Sequence, residues 1–336
     1  MKLEISTWTH HLNQLLYSYF YYCKSTKTAF NLVFNKNVRH NGAVLFIENK
    51  SAFFDYSDDV LFLDSTNSYD YYFKRSLKEE DVKANVHTLN FNLLISYKSH
   101  SFLLNLNRDF FRFKPNRMEI FRALDKYALL TNSAHGIIDS RKLPLEVNDH
   151  GGNIIFHTRL WNAENHPNEE EKYRRRLQND FRINACRILK NNFENVSVGL
   201  FSDKLSQELA PDILLDNTHS KKKNYLKNLK GFNIGVADDG LKDTPGWKIG
   251  EYLLFGKAVI TTPINVTLDH FIEGVNYEKL SSRSAYEDIP ERVENLLKNK
   301  KYLEVGKNNL DWSNKYLHPK NYFERIITII NSDTVK

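Results

Sequence analysis

From residue 153 onward the chain alternates short apolar runs with amphipathic stretches, and this alternation constrains its fold more than any other feature. Ile154-Ile155-Phe156 reads as a buried strand that enters a loop, His157-Thr158-Arg159-Leu160-Trp161. Over residues 168–191, Tyr173, Leu177, Phe181, Ala185, Ile188 and Leu189 recur at three- and four-residue steps, which predicts a long helix with one buried face. Further strands are expected at 196–200, 232–236 and 258–262, with helices at 223–229 and 247–255 between them. Strands alternating with helices imply a parallel sheet covered on both faces, an α/β fold.

The length of 336 residues exceeds one ordinary core, so two domains and a cleft between them are expected. In the first half, strands are expected at 2–7, 29–34 and 43–48. A helix at 118–130 would place Ile120, Phe121, Leu124, Tyr127 and Ala128 on one face. Asn148, Asp149, His150, Gly151 and Gly152 form a run of turn residues, which sets the boundary between a domain at 1–150 and one at 151–318. Residues 319–336 read as an amphipathic helix and tail. Tyr322, Phe323, Ile326, Ile327 and Ile330 need an apolar surface, expected to belong to the N-terminal domain.

Two cysteines, Cys23 and Cys186, lie far apart without metal-ligand spacing, which argues against a disulfide framework or a structural zinc. The first residues lack the pattern of a secretory signal, so a cytoplasmic location is expected. No run of about 20 apolar residues occurs, so membrane contact would be peripheral. The net charge of +6 suits anionic lipid, nucleic acid or a phosphorylated small molecule.

The segment that carries chemistry runs from Gly240 through Asp243-Thr244-Pro245-Gly246-Trp247-Lys248-Ile249-Gly250-Glu251-Tyr252 to Gly256-Lys257-Ala258-Val259-Ile260. Asp243 or Thr244 can cap a helix, Pro245 suits its first turn, and Gly256 suits a left-handed exit. A loop at the carboxyl end of a parallel strand that runs into a helix N-terminus presents amides to an anion. Lys248 and Glu251 are helical neighbours, a cation near phosphate with a carboxylate deeper in. An exposed ion pair between them is the plainer alternative.

At these residues the chain resembles GT-B glycosyltransferases with a group 1-like C-terminal domain. The shared pattern is Gly246-Trp247-Lys248-x-x-Glu251-Tyr252 followed by Gly256-Lys257-Ala258-Val259-Ile260. The resemblance implies two Rossmann-like domains facing a cleft, with a terminal helix that crosses back to the N-domain. It assigns Glu251 to the nucleotide ribose and residues from Thr244 to Lys248 to the diphosphate, with Asp243 where many retaining members carry Glu. Arg159, after the first strand of the C-domain, matches the family's diphosphate arginine. It further implies a nucleotide-sugar donor and a glycan, lipid-linked or protein acceptor, without a cofactor or a required metal.

For a base facing the acceptor hydroxyl the candidates are Asp55, Asp58, His10 and His11. The run Arg174-Arg175-Arg176 suggests nucleic acid, but Glu170 and Glu171 lie in position to pair with it, so no nucleic-acid partner is expected. Lys221-Lys222-Lys223, with Lys227 and Lys230, could touch membrane phosphates. A Rossmann-type enzyme of another class is a rival, yet the first half holds no Gly-x-Gly-x-x-Gly.

Overall fold

The computed structural model describes residues 1–106, 111–115, 117, 137–216, 218, 221–240 and 244–332. The chain forms two compact units. The first comprises Met1–Leu143, Val266–Asp269 and Ser313–Lys336, and the second Pro144–Asn265 and His270–Trp312. No helix among the described residues is long and apolar enough to cross a membrane.

The first unit is built on a six-stranded sheet of order β2-β1-β3-β4-β5-β6. Its strands are β1 (Lys2–Ile5), β2 (Leu32–Phe34), β3 (Gly42–Ile47), β4 (Lys50–Asp55), β5 (Tyr71–Lys74) and β6 (Val86–Thr88). Only β3 runs against its neighbours, because a two-residue turn folds it back on β4. A periodicity reading misses β4 to β6, which are short and buried on both faces. β7 (Ile95–Ser96) and β8 (Ile138–Asp139) form a separate parallel pair. The helix expected at 118–130 lies outside the described residues. Helix α1 (Asn13–Ser25) lies between β1 and β2, and α2 (Ser99–Leu106) follows β7.

The terminal helix, Pro319–Ser332, belongs to this first unit. Its Tyr322, Phe323, Ile326 and Ile330 are buried in one core with Leu15, Leu16, Tyr19 and Phe20 of α1. The Tyr322 and Tyr56 hydroxyls meet at 2.6 Å, giving the helix a polar anchor inside that core. The apolar stripe read from the sequence is thus the face that docks.

The second unit carries five parallel strands in the order β10-β9-β11-β12-β13. They are β9 (Ile154–Thr158), β10 (Val196–Leu200), β11 (Ile234–Ala237), β12 (Ala258–Thr261) and β13 (Tyr277–Lys279). Connecting helices are α3 (Glu169–Asn192), α4 (Lys204–Leu209), α5 (Lys222–Asn228) and α6 (Trp247–Leu254), followed by α7 (Ile289–Leu297) and α8 (Lys301–Tyr316). Asn168 caps α3 by accepting from the Glu171 amide at 3.0 Å. Phe181, Ala185 and Leu189 of α3 pack on Ile154, Phe156, Ile234 and Ile260 of the sheet.

Helix α6 begins at Trp247, as its sequence predicts, but without the cap expected at Asp243 or Thr244. Thr244 and Pro245 are spent on a tight return, in which the Gly240 amide meets the Thr244 carbonyl and Asp239 bridges to Pro245. The cap is therefore Gly246, without a side-chain bond. Asp243 lies outside the described residues. At the other end Gly256 takes a φ of 63°, the left-handed exit expected of it.

Between α6 and the sheet, Tyr252 lies flat against Gly235, where a Cβ would stand 2.5 Å from the ring. The contact fixes how closely α6 approaches β11. Gly235→Ala should therefore lower stability by about 1–3 kcal/mol through overpacking. Urea unfolding that shows no change in midpoint would mean that the helix can back away.

Candidate functional site

The carboxyl ends of the second unit's strands supply a cluster of charged side chains. β9 leads into Arg159, β11 into Asp238 and Asp239, and β12 into Thr262. Arg182, from the middle of α3, joins the first two. It donates to Asp238 at 2.8 Å and to the Arg159 carbonyl at 2.6 Å. One turn back, Gln178 donates to the Asp239 carbonyl, and a further turn back Arg174 donates to the Gly240 carbonyl at 2.8 Å. From the other side the Asp239 amide donates to Thr262 Oγ1 at 2.9 Å. The loop ahead of α6 is thus held from both flanks.

Burial, then the charge of Asp238, pushes the Asp239 carboxyl above its ordinary pKa, with Arg283, Arg174 and Arg182 opposing. Arg174 and Arg283 approach its Oδ2 at 3.5 and 3.7 Å. Arg174 also pairs with Glu171 at 2.9 Å, as does Arg175 at 3.1 Å, while Arg176 reaches Glu164 at 2.6 Å. The arginine run is neutralised locally as expected, except that Glu171 and Glu164 serve rather than Glu170.

Two cations at this edge have no ion-pair partner among the described residues. Arg159 is exposed, with its guanidinium 3.9 Å from the centre of the Trp161 ring. Lys248, in the first turn of α6, is half-buried with Nζ 5.7 Å from the centre of the Tyr225 ring. Burial first, then the nearby charge of Lys222, brings the Lys248 pKa down to about 8.

Glu251 lies one turn deeper than Lys248 and is 4% exposed. The plainer alternative, an ion pair with Lys248, does not form. Instead Lys222 of α5 crosses the Tyr225 ring at 4.6 Å and places Nζ 2.5 Å from both carboxylate oxygens. Trp247 is half-buried at the first helical position. Tyr252 faces the core, with its hydroxyl 3.4 Å from the Ile155 carbonyl, so it backs the site rather than lining it.

In the first unit Asp55 is fully buried. Its two oxygens accept from Lys74 and Tyr72 at 2.9 Å, from Ser57 Oγ at 2.6 Å, and from the Ser57 and Leu63 amides at 3.0 Å. Five donors saturate the carboxylate, so Asp55 organises the loop and has no acceptor site left for a substrate proton. Asp58 pairs with the buried Arg75. His10 stacks on His11 with ring centres 4.1 Å apart. Burial, then the charges of His10, Arg75 and His40, push the His11 pKa down to about 3, so its ring is neutral near pH 7. The ends of β1, β4 and β5 thus bring His10, His11, Asp58 and Arg75 to one edge.

Residues 174, 178 and 182 escaped the sequence reading because polar side chains at four-residue steps look like a solvated face. The usable signal was Asp238-Asp239 directly after an apolar strand. Arg182→Met should leave Asp238 buried and unpaired and cost about 3–5 kcal/mol. Adding Asp238→Asn should recover part of that loss in urea unfolding, whereas strictly additive losses would show that the two side chains act independently.

No family model matches the chain, and no curated protein matches it by sequence. Among solved structures it is similar to an S. aureus TarM G117R mutant in complex with fondaparinux, α-GlcNAc-glycerol and UDP, at 13% identity and a TM-score of 0.43. That match covers 79% of this chain and 45% of TarM. It is also similar to a glycosyltransferase from Rickettsia africae ESF-5, at 10% identity and a TM-score of 0.41 over 80% of this chain and 64% of that one. A third is WaaG, a glycosyltransferase involved in lipopolysaccharide biosynthesis, at 10% identity and a TM-score of 0.31 over 79% of each chain. The chain spans less than half the length of TarM and less than two thirds of the Rickettsia protein.

Proposed function

We propose that the chain is a GT-B glycosyltransferase whose second unit binds a nucleoside-diphosphate sugar. The observation that carries this reading is a pair of cations without an ion-pair partner among the described residues, Arg159 directly after β9 and Lys248 in the first turn of α6, with the buried carboxylate of Glu251 one turn deeper than Lys248. An anion with hydroxyls attached one group away fits that order of charges. A nucleoside diphosphate has it.

In the reaction the acceptor oxygen bonds to the sugar's anomeric carbon as the bond from that carbon to the diphosphate oxygen breaks. Negative charge grows on the leaving diphosphate. Arg159, Lys248 and the backbone amides around Gly246 offset it, the role a metal ion takes in other sugar transferases. No metal or cofactor enters this scheme. The acceptor is a glycan, a lipid-linked sugar or a protein, held mainly by the first unit, and its proton passes to a base. Saturation of Asp55 leaves His10, His11 and Asp58 as candidates. The setting is the synthesis of bacterial surface polysaccharide or glycoconjugate at the inner membrane face, where exposed Lys221, Lys227 and Lys230 would meet anionic lipid. Nucleic-acid binding loses its main feature, since Arg174, Arg175 and Arg176 are each paired with an acid.

A thermal-shift screen with UDP, GDP, ADP and CMP sugars tests the reading, because a ligand that binds only the folded chain raises its melting temperature. No shift with any of them would sink it. Arg159→Ala should weaken binding of the responsive donor by about 1.5–3 kcal/mol, roughly 10- to 150-fold in calorimetry. An unchanged Kd removes Arg159 from the site.

The pH dependence has a defined sign. Lys248 attracts phosphate only when protonated, and its pKa in the free protein is about 8. Affinity should hold below that pH and fall as pH rises through it, while the diphosphate itself stays fully ionised. Lys248→Met should bind more weakly and lose this fall between about pH 7.5 and 9. A wild-type affinity that stays flat across the range would show that Lys248 does not touch the ligand.

A further inference from the structure

We infer that Lys222 is a positioning residue that holds both oxygens of the Glu251 carboxylate in one orientation, and so makes the site select a ribose diol. The inference rests on the donor reading above and concerns a side chain outside the segment on which that reading was built. Lys222 lies in the run Lys221-Lys222-Lys223, which as sequence looks like a uniform basic surface. The fold divides the run. Lys221 and Lys223 are exposed at the start of α5, whereas the Lys222 side chain turns inward, 38% exposed, onto a carboxylate that is 5% exposed.

The geometry leaves Glu251 able to accept more. A carboxylate has about four acceptor positions, two on each oxygen. Nζ of Lys222 takes one on each at 2.5 Å, so one remains on each. Two adjacent acceptors match the two adjacent hydroxyls of a ribose, and the double contact with Lys222 fixes where both of them point.

Lys222 is the cation in contact with that carboxylate. The other groups facing Glu251 are the Tyr225 hydroxyl from α5, Tyr252 and Lys248 on its own helix, and Asp238 with Arg182 beyond Lys248. None of these replaces Lys222: the tyrosines are neutral, Asp238 has the wrong sign and Arg182 is bound to it at 2.8 Å. Lys248 keeps its Nζ 5.7 Å from the centre of the Tyr225 ring, and the charge of Lys222 itself loosens its proton. Without the double contact from Lys222, no side-chain donor among the described residues fixes the direction of both carboxylate oxygens. Removing Lys222 should therefore abolish discrimination for the diol and leave the phosphate contacts in place.

Calorimetry on the full chain with UDP, GDP and ADP, each paired with its 2′,3′-dideoxy form, reads this directly. For at least one base, wild type should prefer the ribose form by about tenfold or more, and Glu251→Gln should lose most of that preference. Lys222→Met should bring the two affinities to within about threefold while the dideoxy affinity is kept, and Lys222→Arg should restore the preference. Lys222→Gln provides the same readout if the Met variant proves unstable. A Lys222→Met protein that discriminates like wild type overturns the inference alone. Loss in Lys222→Met without rescue by Lys222→Arg also counts against it, since a merely structural defect gives that result. A wild type that binds diphosphates without preference overturns the ribose role of Glu251 together with the inference. Failure of all the diphosphates to bind overturns the donor reading itself.

Discussion

The second unit depends on one side chain, Arg182, which is buried and bonded at once to Asp238 and to the Arg159 carbonyl. Those partners stand at the carboxyl ends of β11 and β9, neighbouring strands of one sheet. A single guanidinium therefore sets the spacing between the loop that carries Arg159 and the loop that leads to α6. Its planar fork suits the task, since it directs several donors at fixed angles where an ammonium would act as a point charge. Arg174 and Gln178 continue the same helical stripe and hold the two following carbonyls, Gly240 and Asp239. Helix α3 thus has two working faces, an apolar one on the sheet and a polar one stitched to a loop.

That stitching determines which charges are left over. Arg174, Arg182, Arg283 and Lys222 each face a carboxylate. Arg159 and Lys248 form no ion pair among the described residues. Neutralising the positioning cations while leaving the others unpaired concentrates the field at two points. The lowered pKa of Lys248 fits a cation kept partly out of water beside a second cation, Lys222.

Much of this was legible in the sequence of the second half, where apolar periodicity located β9, β10, α3, α6, β12 and the terminal helix to within a residue or two. Apolar spacing reports burial, and those elements are built by burial. The reading was blind where polar groups do the building. Arg174, Gln178 and Arg182 share a four-residue step that looks solvated. Lys222 and Glu251 are 29 residues apart, and no local pattern joins them. β13 is short and polar, Tyr-Glu-Lys, and is a strand only because β12 offers an edge to pair with. In the first half, Asp55 looks like a turn acid in Asp55-Tyr56-Ser57-Asp58-Asp59. It is instead the last residue of β4, placed opposite Lys74 at the end of β5.

The pairing of Asp55 with Lys74 is the counterpart, in the first unit, of Arg182 with Asp238. Each joins neighbouring parallel strands at their carboxyl ends and holds loop carbonyls as well, in this case those of Asp59 and Leu61. Buried pairs of this kind add little net stability but are lost at high cost if one partner is removed, so they specify arrangement more than they strengthen it. The two edges then differ in what remains. In the first unit the carboxylate is saturated, Arg75 is matched by Asp58, and the imidazole of His11 is kept neutral by burial beside positive charge. That edge has hydrogen-bonding capacity without surplus charge, which suits a hydroxyl. The second unit keeps two surplus cations, which suit a phosphate. The two edges thus differ in charge balance while sharing one structural device.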